Sequence, residues 1–593
     1  MRLDTVILLV ASALSLNSYG QSMLRVNQAG YRTDDFKAAV YIGPVDSGAL
    51  QFELLSPEAG AGAIDSVVVY DAWAPAQASA RIYFTGVTTP GQYTLSAREK
   101  ATGKIVDVSM VYIGDDAYSR FDLKELPLNY LRQQRCGYNP VHNSKCHLHD
   151  GYVVLSDSLD GRHYDVTGGW HDASDYLQYL PTSAHTVYQL LFAYRQNPKN
   201  WADRYDAYGK SGSNGVPDIL DEARWGLEWM LKMNPQDDLY FNQIADDRDH
   251  KFVGLPQVDS VDYGYGPGAG RPVYPVSGKP YGLQKYKNRS TGEASSLGKF
   301  ASSFGLGAEV FAELDSAFSA SLSVRAQKAY ERGVANPGAS QTAPCSSPYF
   351  YEEDNWVDDM ELAAAVLGRL DEAAHYGRME PITPWMGADT ARHYQWYPFI
   401  NLGHFELARE HGGKYSNEFK QFMRSGVEEV ASRGADNVFK AGVPFVWCSN
   451  NLTVGFVTQA MLYRELTGDN SFIEAESAAR DWLFGVNPWG QTMIIMPEET
   501  VSSSPQDPHS AMTDRTVARQ PGRDWLVGGL VDGPVYTTIF NNLWGVHLRR
   551  PDRFAAFQGP EVVYHDDYSD YSTNEPTMDG TASMAFFLSR LCR

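Results

Sequence analysis

The chain has 593 residues, a formal net charge of -22 and a 43% hydrophobic share, too long for one ordinary domain and too apolar for extended disorder. That acidic balance disfavours a nucleic-acid backbone or an anionic membrane surface as partner, since both require clustered Lys and Arg. With 13 Trp and 36 Tyr, a neutral ligand rich in hydroxyls is the better match, because aromatic faces and acidic acceptors bind it without charge pairing.

The N-terminus reads Met1-Arg2-Leu3-Asp4, then an apolar run from Val6 to Leu16, then Ser18-Tyr19-Gly20. This is the pattern of a secretory signal peptide over residues 1–22, too short to span a bilayer. No Cys follows the run to take a lipid, and no other stretch of about 18 apolar residues argues for a membrane span. A secreted or periplasmic protein without membrane insertion is expected. Its five cysteines, an odd number, argue against a complete disulfide framework and leave room for a metal site.

Short apolar runs follow, among them "AAVYIG", "FELLS", "DSVVVYDA", "ARIYFTGV", "GQYTLSA" and "IVDVSMVYIG", separated by Gly, Pro, Ser and Asp. They predict an antiparallel β-sandwich over residues 23–114. It shows no obvious stripe of exposed aromatics, so it is expected to buttress its neighbour rather than bind a ligand. From Phe121 onward the period becomes helical. "NGVPDILDEARWGLEWMLKM" (Asn214–Met233) has a proline near its start, acids in its first turns and one apolar stripe. Similar patterns recur at about 181–195, 296–314, 358–374, 399–410, 418–432, 452–467, 472–484 and 576–591. The region 118–593 therefore reads as almost wholly α, in paired helices. Residues 251–292, rich in Gly, Pro and Tyr, read as a long functional loop.

Three stretches carry chemistry. "DVTGGWHDASDY" (Asp165–Tyr176) sets Asp172 and Asp175 three residues apart behind two glycines and Trp170. Two such carboxylates can share the activation of one water, and Trp170 offers a face for stacking on a sugar; the spacing is equally that of an acidic loop. "YHDDYSDYSTNEPTMDG" (Tyr564–Gly580) places Glu575 before a final apolar helix, where it is either a helix-start charge or the protonated acid that glycoside hydrolysis needs opposite an ionised one. "RCGYNPVHNSKCHLHDG" offers Cys136, Cys146, His147 and His149, with His171 or His163 as a further donor. Zinc and a Cys136–Cys146 disulfide both remain open on these residues. "GYGPGA" matches a dinucleotide fingerprint as text but lies in the Pro-rich loop, with no preceding strand or opening helix.

"LRVNQAGY" (Leu24–Tyr31), "DVTGGWHDASDY", "NGVPDILDEARWGLEWMLKM", "DWLFGVNPWGQTMI" (Asp481–Ile494) and "DYSTNEPTMD", in this order, resemble glycoside hydrolase family 9, inverting cellulases that often carry an N-terminal immunoglobulin-like module. The resemblance implies a multidomain chain: an immunoglobulin-like β-sandwich, then an all-α (α/α)6 barrel. It implies Asp175 as general base, Asp172 as its partner on the attacking water and Glu575 as general acid. It also implies a structural zinc held by Cys136, Cys146, His147 and His171, with no catalytic cofactor, and it leaves calcium open. Sugar contacts are expected from Trp170, Trp356, Trp447, His509, Arg515 and Tyr571, with Trp396 and Trp489 as further candidate platforms.

Two departures stand out. Ser174 occupies a position where the family often has Gly, and the usual Pro-His-His-Arg run appears as "PQDPHSAMTDR", with Ser510 for the second His. The implied activity is an exported, monomeric endo-β-1,4-glucanase on cellulose-like β-glucans. An exo-acting β-glucosidase or glucosaminidase on oligosaccharides is the alternative, suggested by the altered His run and the long loop. A non-catalytic carbohydrate-binding protein is a remote third, against which the complete carboxylate trio argues.

Overall fold

The computed structural model describes residues 23–592 except 157, 349–350, 389–401, 411, 499 and 514–521. The signal-peptide segment, Trp396 and Arg515 therefore lie outside the described residues.

Eight strands form the N-terminal sandwich: β1 (Leu24–Arg25), β2 (Ala38–Gly43), β3 (Leu50–Ser56), β4 (Gly60–Gly62), β5 (Ser66–Tyr70), β6 (Ala78–Tyr83), β7 (Gly91–Glu99) and β8 (Ile105–Ile113). They pair as two four-stranded sheets, β1-β2-β6-β5 and β4-β3-β7-β8. Along β3 the period of two is direct: Leu50, Phe52, Leu54 and Ser56 are buried and the residues between them are not. Tyr31, Tyr41, Ile82, Tyr93, Leu95 and Val111 complete this core.

Beyond it, among the described residues, twelve helices of seven residues or more alternate between two rings. They are α1 (Leu126–Gln134), α2 (Leu180–Gln196), α3 (Asp218–Met233), α4 (Ala294–Phe311), α5 (Ser316–Ala335), α6 (Val357–Val366), α7 (Leu370–Met379), α8 (Leu402–Ala408), α9 (Ser416–Gly434), α10 (Ser449–Thr467), α11 (Ile473–Leu483) and α12 (Met578–Leu591). The even-numbered helices touch in the order α2, α4, α6, α8, α10, α12, and α12 returns to α2, closing an inner ring. Each odd-numbered helix packs outside that ring, α1 against α12 and the others against the even-numbered helix before them.

Burial follows from the two positions. In α12 every residue but Arg590 is buried, because the ring core covers one face and the outer helices the other. In α5 only Leu322, Ala326, Ala329, Tyr330 and Gly333 are buried, one stripe of a solvent-facing helix. That sparse stripe is why the sequence pattern missed α5; it missed the short α1 as well. The single helix expected over 358–374 is two, α6 and α7, broken at Gly368, whose φ of 71° ends the first.

The almost wholly α reading also missed a small four-stranded sheet of β11 (Tyr152–Val153), β14 (Pro272–Pro275), β13 (Phe241–Ile244) and β12 (Gln178–Tyr179). A hairpin of β9 (Gly137–Asn139) and β10 (Ser144–Cys146) precedes it. Strand β12 leads directly into α2, so the sheet fixes the exit of the turn that carries Asp172 and Asp175.

The entry of that turn is held by a buried clamp. Arg135 donates from Nε and Nη2 to Glu222 of α3, at 3.0 and 2.7 Å, and the Trp170 indole N–H donates to the same carboxylate at 2.8 Å. Cys136 N–H donates to Gly169 O and His171 N–H to Gln134 O, so the backbones run antiparallel here. Gly169 has φ 69°, and a Cβ there would lie 2.8 Å from the Trp229 ring, so only glycine fits. Trp170 is 0% exposed, which corrects the expectation that it contacts sugar: its indole anchors the turn.

The sandwich is bonded to the barrel through its first strand. Arg25 donates to Pro488 O, Asn27 to Asp481 Oδ1 at 2.8 Å and Gln28 N–H to Phe484 O at 3.0 Å. "LRVNQAGY" and "DWLFGVNPWG" are thus the two sides of one seam.

Glu222→Ala leaves Arg135 charged and unpaired at 1% side-chain exposure and orphans the Trp170 N–H. We expect a loss of about 3–5 kcal/mol, read as a lower urea midpoint by tryptophan fluorescence.

Candidate active site

Asp172 and Asp175 occupy one turn but different environments. Asp172 is 4% exposed. Its Oδ1 accepts from Thr182 Oγ1 and its Oδ2 from the Tyr351 hydroxyl, both at 2.6 Å. Burial, and then the charge of Asp175, push its carboxyl well above the usual range, against those two donors. Asp175 lies closer to solvent; its Oδ1 accepts from Leu177 N–H at 3.0 Å, and its Oδ2 is 3.7 Å from His250 Nε2. Desolvation lowers His250, but the neighbouring carboxylates of Asp175 and Asp249 outweigh that and raise it to about 9. An imidazolium thus stands beside Asp175 at neutral pH. Asp249 accepts from Tyr176 N–H at 2.8 Å and is raised to about 6 by burial and by Asp175.

Glu575 arrives from the other end of the chain, one residue before a short strand (Pro576–Thr577) paired with Leu530–Val531. Its carbonyl accepts from Asp532 N–H at 2.8 Å, and the next carbonyl, of Pro576, accepts from the Tyr130 hydroxyl at 2.6 Å. Met578 N–H donates to Asp172 O at 3.1 Å, tying the start of α12 to the carboxylate turn. The side chain closes the junction: Glu575 Oε1 accepts from Ser174 N–H at 3.0 Å and from Ser174 Oγ. Burial raises Glu575 above the ordinary carboxylate range, and Asp175 adds to this, while His509 and Ser174 oppose it. Asp532, buried beside it, is driven well above its usual value by burial and by Glu575; it accepts from the Trp447 indole at 2.9 Å and from Cys448 Sγ.

Aromatic groups gather on the Glu575 side. The Trp447 and Tyr571 rings are 5.6 Å apart and inclined by 33°, and His509 lies 6.0 Å from Tyr571. The Tyr571 hydroxyl donates to Trp544 O at 2.8 Å, in a segment also held by Asp567 Oδ2, which accepts from Arg549 and Arg550 N–H. Trp544 is 92% exposed, the highest value among the exposed large apolar side chains.

The other candidate platforms differ. Trp489 is 2% exposed, donates to Gln558 and packs edge-on against Trp482, which corrects its reading as a platform. Trp356 meets Tyr376 of α7 edge-on at 6.0 Å, an inner-to-outer helix contact.

Cys136, Cys146, His147 and His171 bring one ligand atom each to within 4.8 Å of one another. His171 Nε2 is 3.3 Å from His147 Nδ1, Cys136 Sγ is 3.6 Å from His147 Nδ1, and Cys146 Sγ is 3.9 Å from His171 Nε2. The edges of a tetrahedron around zinc measure ~3.3 Å for N–N and ~3.6 Å for N–S, so the donor set fits that ion. His147 Nε2 faces Asp259 Oδ2 at 3.1 Å, the kind of carboxylate support that orients a ligating imidazole. Both cysteines are free thiols, and His163 turns away to His149 O. Asp246, Asp247 and Cys345 also cluster. Their carboxylates, however, are taken up by Arg248, Tyr274, the N–H groups of Cys345, Ser346 and Ser347, and Ser346 Oγ, which leaves too few oxygens for calcium.

Sequence reasoning did not find Tyr351, Thr182, His250, Asp249, Asp259, Asp532 or Trp544. Each reaches the site through a tertiary contact from an unremarkable local context. The exception in kind is His250, next to Asp249 at the mouth of the Gly/Pro/Tyr-rich loop, where a cluster of charge at a loop boundary was readable.

The model described as glycosyl hydrolase family 9 matches residues 122–588, and that of a cellulase N-terminal ig-like domain matches residues 20–102. Endoglucanase D of Acetivibrio thermocellus is 22% identical over 473 residues, covering 76% of this chain and 69% of that protein. The crystal structure of a metagenome-derived family 9 endoglucanase superposes with a TM-score of 0.69 at 24% identity, covering 96% of this chain and 98% of the other. A Zn-binding triple mutant of the family 9 endoglucanase J30 gives 0.70 at 22% identity, covering 95% and 99%. At these identities the structural matches establish the shared fold.

Proposed function

Since the chain belongs to glycosyl hydrolase family 9, a family of glycoside hydrolases, we propose that it is an exported, inverting endo-β-1,4-glucanase acting on cellulose-like β-glucans. The single observation that carries this reading is the meeting of Glu575 with the Asp172–Asp175 turn through Ser174, across 401 residues of sequence.

In this reading Glu575, kept protonated by its raised pKa, gives its proton to the glycosidic oxygen. Asp175, beside the His250 cation, takes a proton from a water that attacks the anomeric carbon from the opposite face. An inverting displacement needs the two carboxyl groups about 6.5–9.5 Å apart so that this water fits. Asp172, gripped by Thr182 and Tyr351, holds the turn and the water's second hydrogen. Trp447, Tyr571 and His509 supply the sugar contacts on the acid side, with Trp544 as a platform further out.

A zinc held by Cys136, Cys146, His147 and His171 would be structural, since four protein ligands leave no open position. It would cross-link the β9–β10 hairpin to the catalytic turn at His171 and, through Asp259, to the following loop.

The exo-acting reading is favoured by one feature. Residues 249–263 bond to Tyr176 and face Asp175, while residues 544–550 bond to Tyr571 and Asp567 in the stretch that leads to Glu575, so an ordered segment lies against each of the two stretches that carry the carboxylates.

Four outcomes are expected. Glu575→Gln loses at least ~10³-fold in kcat with unchanged circular dichroism; retention of more than a few per cent would overturn the acid assignment. Activity on a soluble β-1,4-glucan falls at high pH as Glu575, its carboxyl raised by burial, ionises, with an early drop in viscosity; one small product at nearly constant viscosity would replace endo by exo action. Elemental analysis finds about one zinc per chain, lost in His171→Ala. Trp544→Ala lowers kcat/KM for cellohexaose ~10-fold or more while leaving that for the shortest cleaved oligosaccharide nearly unchanged, as loss of one stacking contact requires.

A further inference from the structure

Ser174 is where the chain departs from the glycine common in the family it resembles, and it spends both of its donors on one atom. Its backbone N–H lies 3.0 Å from Glu575 Oε1, and its hydroxyl meets the same oxygen. A backbone N–H can only donate. Of the two oxygens of a carboxylic acid the unprotonated, carbonyl-like one is the stronger acceptor, so the oxygen that meets an obligate donor is the one favoured to be free of the proton. With Oε1 unprotonated, the Ser174 hydroxyl, the partner with a choice, also donates. A glycine at this position would keep the first bond and lose the second.

We infer that Ser174 is a positioning residue that pins Glu575 Oε1 as the unprotonated oxygen, so that the transferable proton resides on Oε2. This rests on the proposed role of Glu575 as general acid. The consequence has two parts. The proton is presented from one oxygen and in one orientation, instead of being shared between two as the carboxyl turns. The hydroxyl's bond also strengthens when Glu575 becomes a carboxylate, because a hydrogen bond to an anion is the stronger kind. Charge that develops on Glu575 as the proton leaves for the glycosidic oxygen is therefore met by a donor already in place. The atoms balance simply: the Oε2–H bond breaks, an O–H bond forms on the leaving group, and the Ser174 hydroxyl keeps its own hydrogen throughout.

Other groups act on Glu575 from the elements packed around it. Asp175 lies on the same turn as Ser174, Asp532 directly after the strand Leu530–Val531, and His509 on the segment bonded to Asn574. Tyr130 of α1, Cys448 before α10 and Tyr571 also feel its charge. None is altered by a change at Ser174, so the hydroxyl's contribution can be isolated.

Removing the hydroxyl favours the neutral acid. Glu575 then releases its proton at higher pH, and the alkaline limb of the rate profile moves up while the rate itself falls.

The test is kcat and KM against pH for wild type, Ser174→Ala and Ser174→Thr on a soluble β-1,4-glucan, with Glu575→Gln as control. Alongside it runs a 13C NMR titration of the Glu575 carboxyl carbon in wild type and Ser174→Ala. Ser174→Ala is expected to shift both the alkaline limb and the NMR midpoint up by about one pH unit and to lower kcat ~10-fold. KM should stay within about twofold, and Ser174→Thr should restore limb and kcat. A fall in kcat with no movement of limb or midpoint, unrescued by threonine, means simple packing and overturns the inference. If Glu575→Gln remains active, the acid assignment falls and this inference with it; if Glu575→Gln is dead and Ser174→Ala is unshifted, only the inference falls.

Discussion

The arrangement of the site depends on one buried ion pair. Arg135 and Glu222 are each 1% exposed in their side chains, and such a pair survives only because every donor finds an acceptor of good geometry. Glu222 takes two N–H groups from Arg135 and one from Trp170, and Arg135 Nη1 adds Ala207 O. Three pieces of chain are thereby tied: α3, the end of α1 and the Gly-Gly-Trp turn. The hairpin carrying Cys136 and Cys146 hangs from one side of this knot, and the carboxylates Asp172 and Asp175 from the other. An apolar contact would bring the pieces together, but it would not fix their rotation. The fork of the guanidinium does, and rotation decides where two short carboxylates point.

Around that knot the site accumulates acid. Asp172, Asp175, Asp249, Glu575 and Asp532 act on one another in overlapping pairs, with the raised His250 beside Asp175 and Arg271 acting on Asp249. Full ionisation of such a group is costly. Two different solutions are visible. Asp175 keeps a cation and a backbone donor, whereas Asp172, Asp532 and Glu575 are driven toward the neutral form and compensated by neutral donors. The proposed acid–base hydrolysis calls for carboxyls in different settings, and here chemically similar groups have unequal surroundings.

The readable part of the chain was the part in which local pattern and global role coincide. Strand β3 announces itself because its inward residues alternate, and α3 and α12 because their stripes are dense. The trio Asp172, Asp175 and Glu575 could be named as candidates only through the resemblance, since composition and spacing alone left each open as an acidic loop or a helix-start charge. Trp170 was misread for a physical reason: an indole beside carboxylates resembles a sugar platform in one dimension, and only the position of Glu222, fifty-two residues on, shows where its N–H goes. Helix α5 escaped notice because a helix on the outer ring needs only five buried residues in twenty. Trp544 escaped because nothing near it in sequence distinguishes an exposed tryptophan from a core one; its neighbour Tyr571 is a tertiary contact. The donor set Cys136, Cys146, His147 and His171 could be assembled only by resemblance, since no spacing relates His171 to the hairpin.

The seams described above join distant parts of the chain: residue 27 with 481, 172 with 578, and 174 with 575. The inner ring itself closes only when α12 reaches α2. A ribosome therefore releases the sandwich and most of the barrel before any of these contacts can form, and loop closure over hundreds of residues comes last. During that interval the exposed inner faces of α2 and α10 are bare of their final neighbour, the period of greatest exposure to aggregation. In the proposed reading the same order of events keeps the nascent chain catalytically silent: the turn of Asp172 and Asp175 is made early, and Glu575 follows Ser174 by 401 residues.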